Sequence, residues 1–391
     1  MSIEEELEDL HARSLFRSLR ESESPAGRTI TINGRELINF GSNDYLGFAN
    51  EPSLREAAKA AIDRWGVGAG ASRLISGTLS PHVRLEERLA EFKGTEAALS
   101  FSSGYAAAVG TLGALLRKDD VVILDKLCHA SLIDGARLSG AVMRIFPHNS
   151  LERLESHLRW ARDHYPRARV VIVTESVFSM DGDSPPLREI VELKNRYNAM
   201  LMVDEAHAIG VIGPNGRGLA AHLSLENQIE VQMGTLSKAL GTSGGYICGS
   251  RLLINLLINR ARSFIYSTAP VMAVTAASIA AIDLLASRTG EEARNRLRLN
   301  IDRFGEARNG LIFGRDHNCG AIFAIRYADS AVVHSAGERL GKGGFFAPAI
   351  RYPTVALHSP RIRITITALH STRDLDALAE LLILSKDPHT V

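Results

Sequence analysis

The sequence predicts an α/β fold: a large domain built on a mostly parallel sheet covered by helices, followed by a smaller α+β C-terminal domain. Three observations carry that expectation. Continuous apolar runs such as VVILD (Val121–Asp125), VVIVTES (Val170–Ser176) and AMLMVDEAH (Ala199–His207) read as strands buried on both faces. Helical segments alternate with them, which is the pattern of parallel sheets covered by helices. A long Ala-rich helix (Val271–Ser287) then gives way, around Thr289–Glu291, to a different run of elements. The reading divides the chain into an N-terminal helix and hairpin arm (1–45), a large domain (46–288) and a small domain (289–391).

Residues 3–20 have apolar positions near helical spacing, with acids early and Arg13, Arg17 and Arg20 late, so an amphipathic helix is expected. Arg28–Phe40 reads as a hairpin turning at Asn33-Gly34. GSNDYLG (Gly41–Gly47) is a polar, glycine-bounded loop. Helices are expected over Pro52–Trp65 and His82–Phe92. The glycine-rich segment between them, GVGAGASRLISG, fails the dinucleotide fingerprint, because its third glycine would fall on Ala71. Ala97–Phe101 is a short strand, and Ser102–Ser103–Gly104 turns from it into a small-residue helix. Free N–H groups at such a helix start suit an anion, and they equally suit simple N-capping.

From Val121 onward, strands at 121–125, 142–146, 170–176 and 199–207 alternate with helices at 129–140, 151–164 and 187–197. In such sheets ligands bind beyond the carboxyl ends of the strands. Asp125, His129, Glu175, Ser179, Asp204, His207 and Lys238 all fall there. Later come a helix around 293–312, a strand at 321–327, a strand-turn-strand pair over 341–355 and 361–369, and a terminal helix over 372–385.

Composition narrows the partners. Forty-five Lys and Arg against 44 Asp and Glu leave a net charge of +1 over 391 residues, so no charge excess points to nucleic acid or an anionic membrane. Cys128, Cys248 and Cys319 are far apart and form neither a CxxC pair nor a metal pattern, which suits reduced thiols in a cytosol. The N-terminus is acidic and lacks a signal-peptide pattern.

The stretch VQMGTLSKALGTSGGYICG (Val231–Gly249) carries the most chemistry. Lys238 sits in a tight glycine-rich turn, where a desolvated amine can form a Schiff base with a carbonyl. The Thr235 and Ser237 hydroxyls could hold a phosphate. Together they suggest pyridoxal phosphate (PLP); an ordinary surface lysine beside a turn fits the same residues. Such a cofactor needs a carboxylate at its pyridine nitrogen. Asp204, at a strand end, suits this role, and His129 could lie flat against the ring.

FSSGY, HASL, TESVFSMDGD, VDEAHAIGVIGPNGRG, GTLSKALGTSGGY, FIYSTAP and RIRITITA, in this order, resemble the α-oxoamine synthases, from residue 13 to residue 385. These are PLP-dependent transferases of fold type I that condense an amino acid with an acyl thioester and release carbon dioxide. The resemblance implies that the large domain binds PLP. It implies Lys238 as the Schiff-base lysine, Asp204 at the pyridine nitrogen, His129 stacked on the ring and His207 near its phenolic oxygen. Gly104, Tyr105, Glu175, Ser179 and Thr235 would bind cofactor, with Thr268 reaching the phosphate from a neighbouring subunit of a homodimer. Arg17, Asn43 and Thr354 correspond to substrate-contacting positions, and Arg363 to the residue that binds the amino-acid carboxylate. AIRYPTV, with Arg351, resembles the branch that joins L-alanine to a pimeloyl thioester, carried by coenzyme A or an acyl carrier protein. Ser176 departs from that branch, where glycine is common. Glycine-using members of the family, and a non-catalytic binding or regulatory protein on the same fold, are the alternatives.

Overall fold

The computed structural model describes residues 2–13, 15–307 and 320–384. It comprises two compact units: a large one of Phe48–Ser179 and Ser184–Arg294, and a smaller one of Met1–Gly47, Met180–Asp183 and Asn295–Val391.

The chain starts with α1 (Ile3–Ala12), closed by a capping box between Ser2 and Glu5. It stops well short of the helix expected over 3–20. No residue of α1 is buried, and short helices without tertiary packing are marginal in water. Arg17 and Arg20 therefore lie on irregular chain. The hairpin is as expected: β1 (Thr29–Ile32) pairs antiparallel with β2 (Arg35–Asn39). Asn33 and Gly34 both take positive φ, at 51° and 69°, as a two-residue turn of matching twist requires.

In the large unit, α2 (Pro52–Trp65) and α3 (Ser80–Lys93) precede β3 (Ala97–Phe101) and α4 (Gly104–Leu115). Then follow β4 (Val121–Asp125), α5 (Ala130–Ser139), β5 (Val142–Phe146), α6 (Leu151–His164), β6 (Val170–Glu175), α7 (Leu187–Arg196) and β7 (Met200–Asp204). The short α8 (Leu219–His222) leads to β8 (Val231–Thr235), β9 (Gly245–Gly249), α9 (Arg251–Arg260), α10 (Arg262–Ile265), α11 (Met272–Ala286) and α12 (Arg288–Ala307). The sheet order is β3-β9-β8-β7-β6-β4-β5. Only β9 runs against its neighbours β3 and β8; β4 to β8 are mutually parallel. Every residue of β3, β4, β6, β8 and β9 is buried, and β5, at the edge, is largely half-buried. Leu112, Val122, Leu132, Val173, Met202, Ile247 and Leu257 belong to the core between sheet and helices.

Two expectations change here. β7 ends at Asp204 rather than His207, because the Asp204 carboxylate accepts the Ala206 N–H at 2.9 Å and bends the chain into a turn. Helix α12 runs unbroken through Thr289–Glu291, and the units divide inside it, at Arg294 and Asn295.

The small unit adds β10 (Ile322–Arg326), α13 (Ser330–Lys342), β11 (Phe345–Phe346), β12 (Ala349–Ile350), β13 (Arg361–Thr365) and α14 (Thr372–Leu384). The expected strand-turn-strand pair over 341–355 and 361–369 forms between β12 and β13, which are antiparallel, with β13 lying between β10 and β12, while β11 leaves the pair to join β2 in parallel. The end of the helix expected over 293–312, Cys319 and the last residue of the helix expected over 372–385 lie outside the described residues. Among the described residues no single helix is long and apolar enough to cross a membrane; α11 and α12 meet that test only as a pair bent by 72°.

Candidate active site

Six strands of the large unit, β3 to β8, end on one edge of the sheet, and polar residues gather at their carboxyl ends. Asp125, Glu175 and Asp204 are the last residues of neighbouring strands β4, β6 and β7, and all three are buried. Asp125 is fully committed to local structure. Its carboxylate accepts the Leu127 and Asn149 N–H groups, each at 2.8 Å, and His148 Nδ1–H at 2.9 Å. Glu175 and Asp204 stand opposite each other in register. Burial, reinforced by the Asp204 charge, pushes the Glu175 carboxyl well above the usual range. Burial also raises Asp204, with the Lys238 charge pulling it back down.

Ser176, the position that departs from the expected glycine, is buried and has a structural task. Its N–H and Oγ–H both donate to the Asp204 carbonyl, at 2.9 and 3.1 Å, tying the end of β6 to the end of β7.

His129 closes the turn after β4 and caps α5 with its own ring. Nδ1 accepts the Ser131 N–H at 3.2 Å and lies 2.8 Å from Ser131 Oγ. The His129 N–H donates to the Glu175 carboxylate. Burial, helped by the Lys238 charge, lowers its pKa against the opposing pull of Asp204 and Asp134.

Lys238 lies on the connection between β8 and β9, whose ends are paired at Thr235 and Gly245. The turn is held internally by Leu236 N–H to the Gly244 carbonyl (3.0 Å), Thr242 N–H to Leu236 (2.9 Å) and Gly241 N–H to Lys238 (2.8 Å). Gly241 has φ +66°, and a Cβ there would meet the Phe48 and Ala49 backbone at 2.4 Å. At the head of the turn, Thr235 Oγ1 lies 2.8 Å from Ser237 Oγ. A Cβ built on Gly104, at the start of α4, would sit 3.7 Å from Thr235 Oγ1. The hydroxyls therefore stand beside the first-turn N–H groups of that helix, which have no partner within it.

The turn after β7 is fixed from behind by a buried ion pair. Lys93 Nζ, at the end of α3, donates to the Glu205 carboxylate and to the Arg217 carbonyl (2.6 Å). Glu205 also accepts the Ala220 N–H at 2.9 Å, and its own N–H donates to the Met233 carbonyl at 2.9 Å.

These elements enclose a cavity of about 160 Å³. Eight of the anticipated residues line it: Gly104, Tyr105, His129, Glu175, Asp204, His207, Thr235 and Lys238. Ser131, Ala206, Met233 and Ser237 complete the wall. Ser179 and Thr268 do not line it; Thr268 is exposed and bridges to Ser72. The serine in HASL is a helix-start signal that marks Ser131. Lys93 carries no signal, since a basic residue before a glycine reads as an ordinary helix end.

In the small unit, Arg17 donates to Thr354 Oγ1 at 3.1 Å and to the Arg351 and Tyr352 carbonyls, so Arg17, Arg351 and Thr354 come together around a groove of about 720 Å³. Arg363 is buried and donates to Asn43 Oδ1 at 3.0 Å and Thr365 Oγ1 at 2.9 Å. Its neighbour Arg361 is buried too and pairs with Asp181. β13 is the middle strand of its sheet, so these are not solvated edge arginines.

The cavity fits PLP by the chemistry of its donors. It offers a half-buried amine at Lys238, a buried carboxylate at Asp204 that feels the lysine charge, a flat ring at His129, and hydroxyls beside a helix start for a phosphate.

A family model described as "Aminotransferase class I and II" matches residues 35–382. The 8-amino-7-oxononanoate synthase of Geobacter sulfurreducens is 45% identical over 387 residues, covering 99% of this chain and 98% of that protein. Among solved structures, a serine palmitoyltransferase from S. paucimobilis with a bound PLP–myriocin aldimine matches with a TM-score of 0.91 at 30% identity, over 97% of this chain and 95% of that chain. The 8-amino-7-oxononanoate synthase of Francisella tularensis matches at 0.76 with 26% identity, over 88% and 96%.

Proposed function

This chain belongs to the aminotransferase class I and II family, within its α-oxoamine synthases, and from that premise we propose that it performs the 8-amino-7-oxononanoate synthase reaction of biotin biosynthesis. It condenses L-alanine with a pimeloyl thioester, releasing carbon dioxide and the thiol carrier. One observation carries the reading: near-full-length likeness to a synthase of that reaction coincides with a cavity that holds the amine, acid and imidazole the chemistry needs.

PLP, when bound, supplies an electron sink for negative charge at the amino-acid Cα. The chain's own residues do the rest. Asp204 would keep a proton on the pyridine nitrogen. Lys238 would anchor the cofactor aldehyde and, once displaced by the amino acid, take the Cα proton as general base. His129 would stack on the ring and donate to the substrate carboxylate, while His207 would approach the phenolic oxygen. Thr235, Ser179, Gly104 and Tyr105 would serve the cofactor and its phosphate. Glu175, whose carboxylate receives the His129 N–H, would act from behind that ring.

Arg363, with Asn43, is assigned the amino-acid carboxylate; Arg17, Thr354 and Arg351 are assigned the acyl substrate. The joint groove of those last three residues, and the free-acid end of a pimeloyl chain, support that assignment. We further propose a cytoplasmic homodimer in which Thr268 of each chain serves the other's phosphate. Its exposure, and its position off the cavity wall of its own chain, support this arrangement.

The test is substrate-resolved turnover. Purified holoenzyme given L-alanine and pimeloyl-CoA should release carbon dioxide and free thiol in equal amounts, and Lys238→Ala should abolish both while remaining folded. Turnover confined to glycine with a short acyl thioester would keep the family and overturn the substrates.

A further inference from the structure

We infer that Ser131 is a positioning residue: it holds His129 in the neutral form that carries its proton on Nε2, so that the ring offers the cavity a donor without a charge. What that donor meets rests on the function proposed above; the protonation state itself does not.

The cap of α5 is unusual. Helix starts favour Asn, Asp, Ser and Thr, whose short oxygen-bearing side chains accept the free N–H groups. Here His129 takes that place with its ring. Nδ1 accepts the Ser131 N–H at 3.2 Å, and a backbone N–H can only donate. A ring nitrogen that accepts carries no proton, so Nδ1 is the bare one. The 2.8 Å contact from Ser131 Oγ must then also run from hydroxyl to ring. The only ring nitrogen left for the cavity is Nε2, and in a neutral imidazole it must carry the hydrogen.

The surroundings hold the arrangement in place. Ser131 is buried and lines the cavity. His129 is pinned at its backbone by Glu175, so ring and main chain are fixed from two neighbouring elements. Four charged or titratable groups act on the ring or its backbone: Asp204 at the end of β7, Lys238 on the β8–β9 turn, Asp134 on α5 and Glu175 on β6. Asp204 and Asp134 favour a charged ring; burial and Lys238 oppose it and prevail. The bond from the Ser131 N–H into Nδ1 acts in the same direction, because protonating that nitrogen would break it and force the Ser131 hydroxyl to reverse. A second cation beside Lys238 would also hinder that amine from taking up a proton.

The experiment uses holoenzyme labelled with ¹⁵N-histidine, compared as wild type, Ser131→Ala and Ser131→Thr across pH 6–9. The His129 ring is assigned by its disappearance in His129→Asn. The inference expects wild type to show an unprotonated Nδ1 and a protonated Nε2 throughout. Ser131→Thr keeps the hydroxyl and should reproduce that pattern. Ser131→Ala keeps only the backbone donor, so the two nitrogen signals should move toward each other and the ring should titrate at higher pH. Its kcat/KM for L-alanine should fall about tenfold, the effect of one lost hydrogen bond, and be restored in Ser131→Thr. A wild-type ring protonated at Nδ1, or charged at pH 8, overturns the assignment. So does a Ser131→Ala enzyme that loses activity while its ring spectrum and titration stay unchanged, since that is a structural effect. The expected ring pattern without any turnover of L-alanine would uphold Ser131 and overturn the proposed function.

Discussion

Replacing Lys93 with methionine tests how the turn carrying Asp204, Ala206 and His207 is held. Lys93 and Glu205 are both buried, and their pairing is completed by the Arg217 carbonyl and the Ala220 N–H. Methionine keeps most of the length of the side chain and removes the charge, which leaves Glu205 buried without its cation. Breaking such a pair costs about 3–5 kcal/mol. A second route bounds the cost: an unpaired carboxylate escapes by taking up a proton, at about 1.36 kcal/mol for each pH unit above an ordinary value near 4.3. That ceiling is about 4 kcal/mol at pH 7.5 and about 1.6 kcal/mol at pH 5.5. With about 2.1 cal/mol/K of unfolding entropy per residue over 391 residues, Tm should fall by about 5 °C at pH 7.5 and about 2 °C at pH 5.5. Scanning calorimetry of the cofactor-loaded protein at both pH values reads this directly. Adding Glu205→Gln removes the stranded charge while keeping an acceptor for Ala220, so the double variant should regain most of the loss at pH 7.5. A Tm deficit that is the same at both pH values, or a double variant no better than Lys93→Met, would refute an origin in unpaired charge.

His370, buried against Phe40 and accepting the Thr367 N–H at 3.0 Å, has its pKa pushed by burial down to about 4. Unfolded chain binds a proton near pH 6.5 that the folded chain refuses, so stability should fall as pH drops from 6.5 to 4, by up to about 3 kcal/mol, and level off below; urea melts of His370→Gln should show a shallower slope over that window. Gly241→Ala places a Cβ against the Phe48–Ala49 backbone at a positive φ; equilibrium dialysis should show PLP affinity reduced at least tenfold, as expected when a strained turn of more than about 1.4 kcal/mol must rearrange to keep Lys238 in place. Arg351→Ala should raise KM for pimeloyl-CoA by about tenfold or more, the effect of losing a charge-assisted hydrogen bond, while leaving KM for L-alanine within twofold; equal changes in both would detach Arg351 from the acyl substrate.

What the sequence made legible depends on the range of the interaction. The buried strands announce themselves because both faces are apolar, and the Asn33–Gly34 turn because few other pairs take two positive φ values. The shorter α1 has the complementary reason: spacing alone cannot show whether an apolar stripe meets a partner, and no residue of Ile3–Ala12 is buried. The apolar run that reads as a strand through His207 does not reveal that the Asp204 side chain turns the chain back through Ala206.

The site shows the same division at the level of chemistry. Lys238, Asp204 and His129 are residue types with few uses in common, so their order along the chain resembles a known family, and the fold brings them to one cavity. The residues that set their state are ordinary types in ordinary places. Ser131 resembles any helix-start serine, Lys93 any helix-end lysine, and Glu205 is overshadowed by the aspartate beside it. Lys93 and Glu205 become informative only when a partner 112 positions away is known, and Ser131 only through His129, whose own backbone is held by Glu175, 46 positions away. A buried charge or a bare ring nitrogen is costly unless that partner is present. The residues that tune this cavity are therefore those whose conservative replacement should disturb protonation more than binding, which is the distinction the Lys93 and Ser131 variants measure.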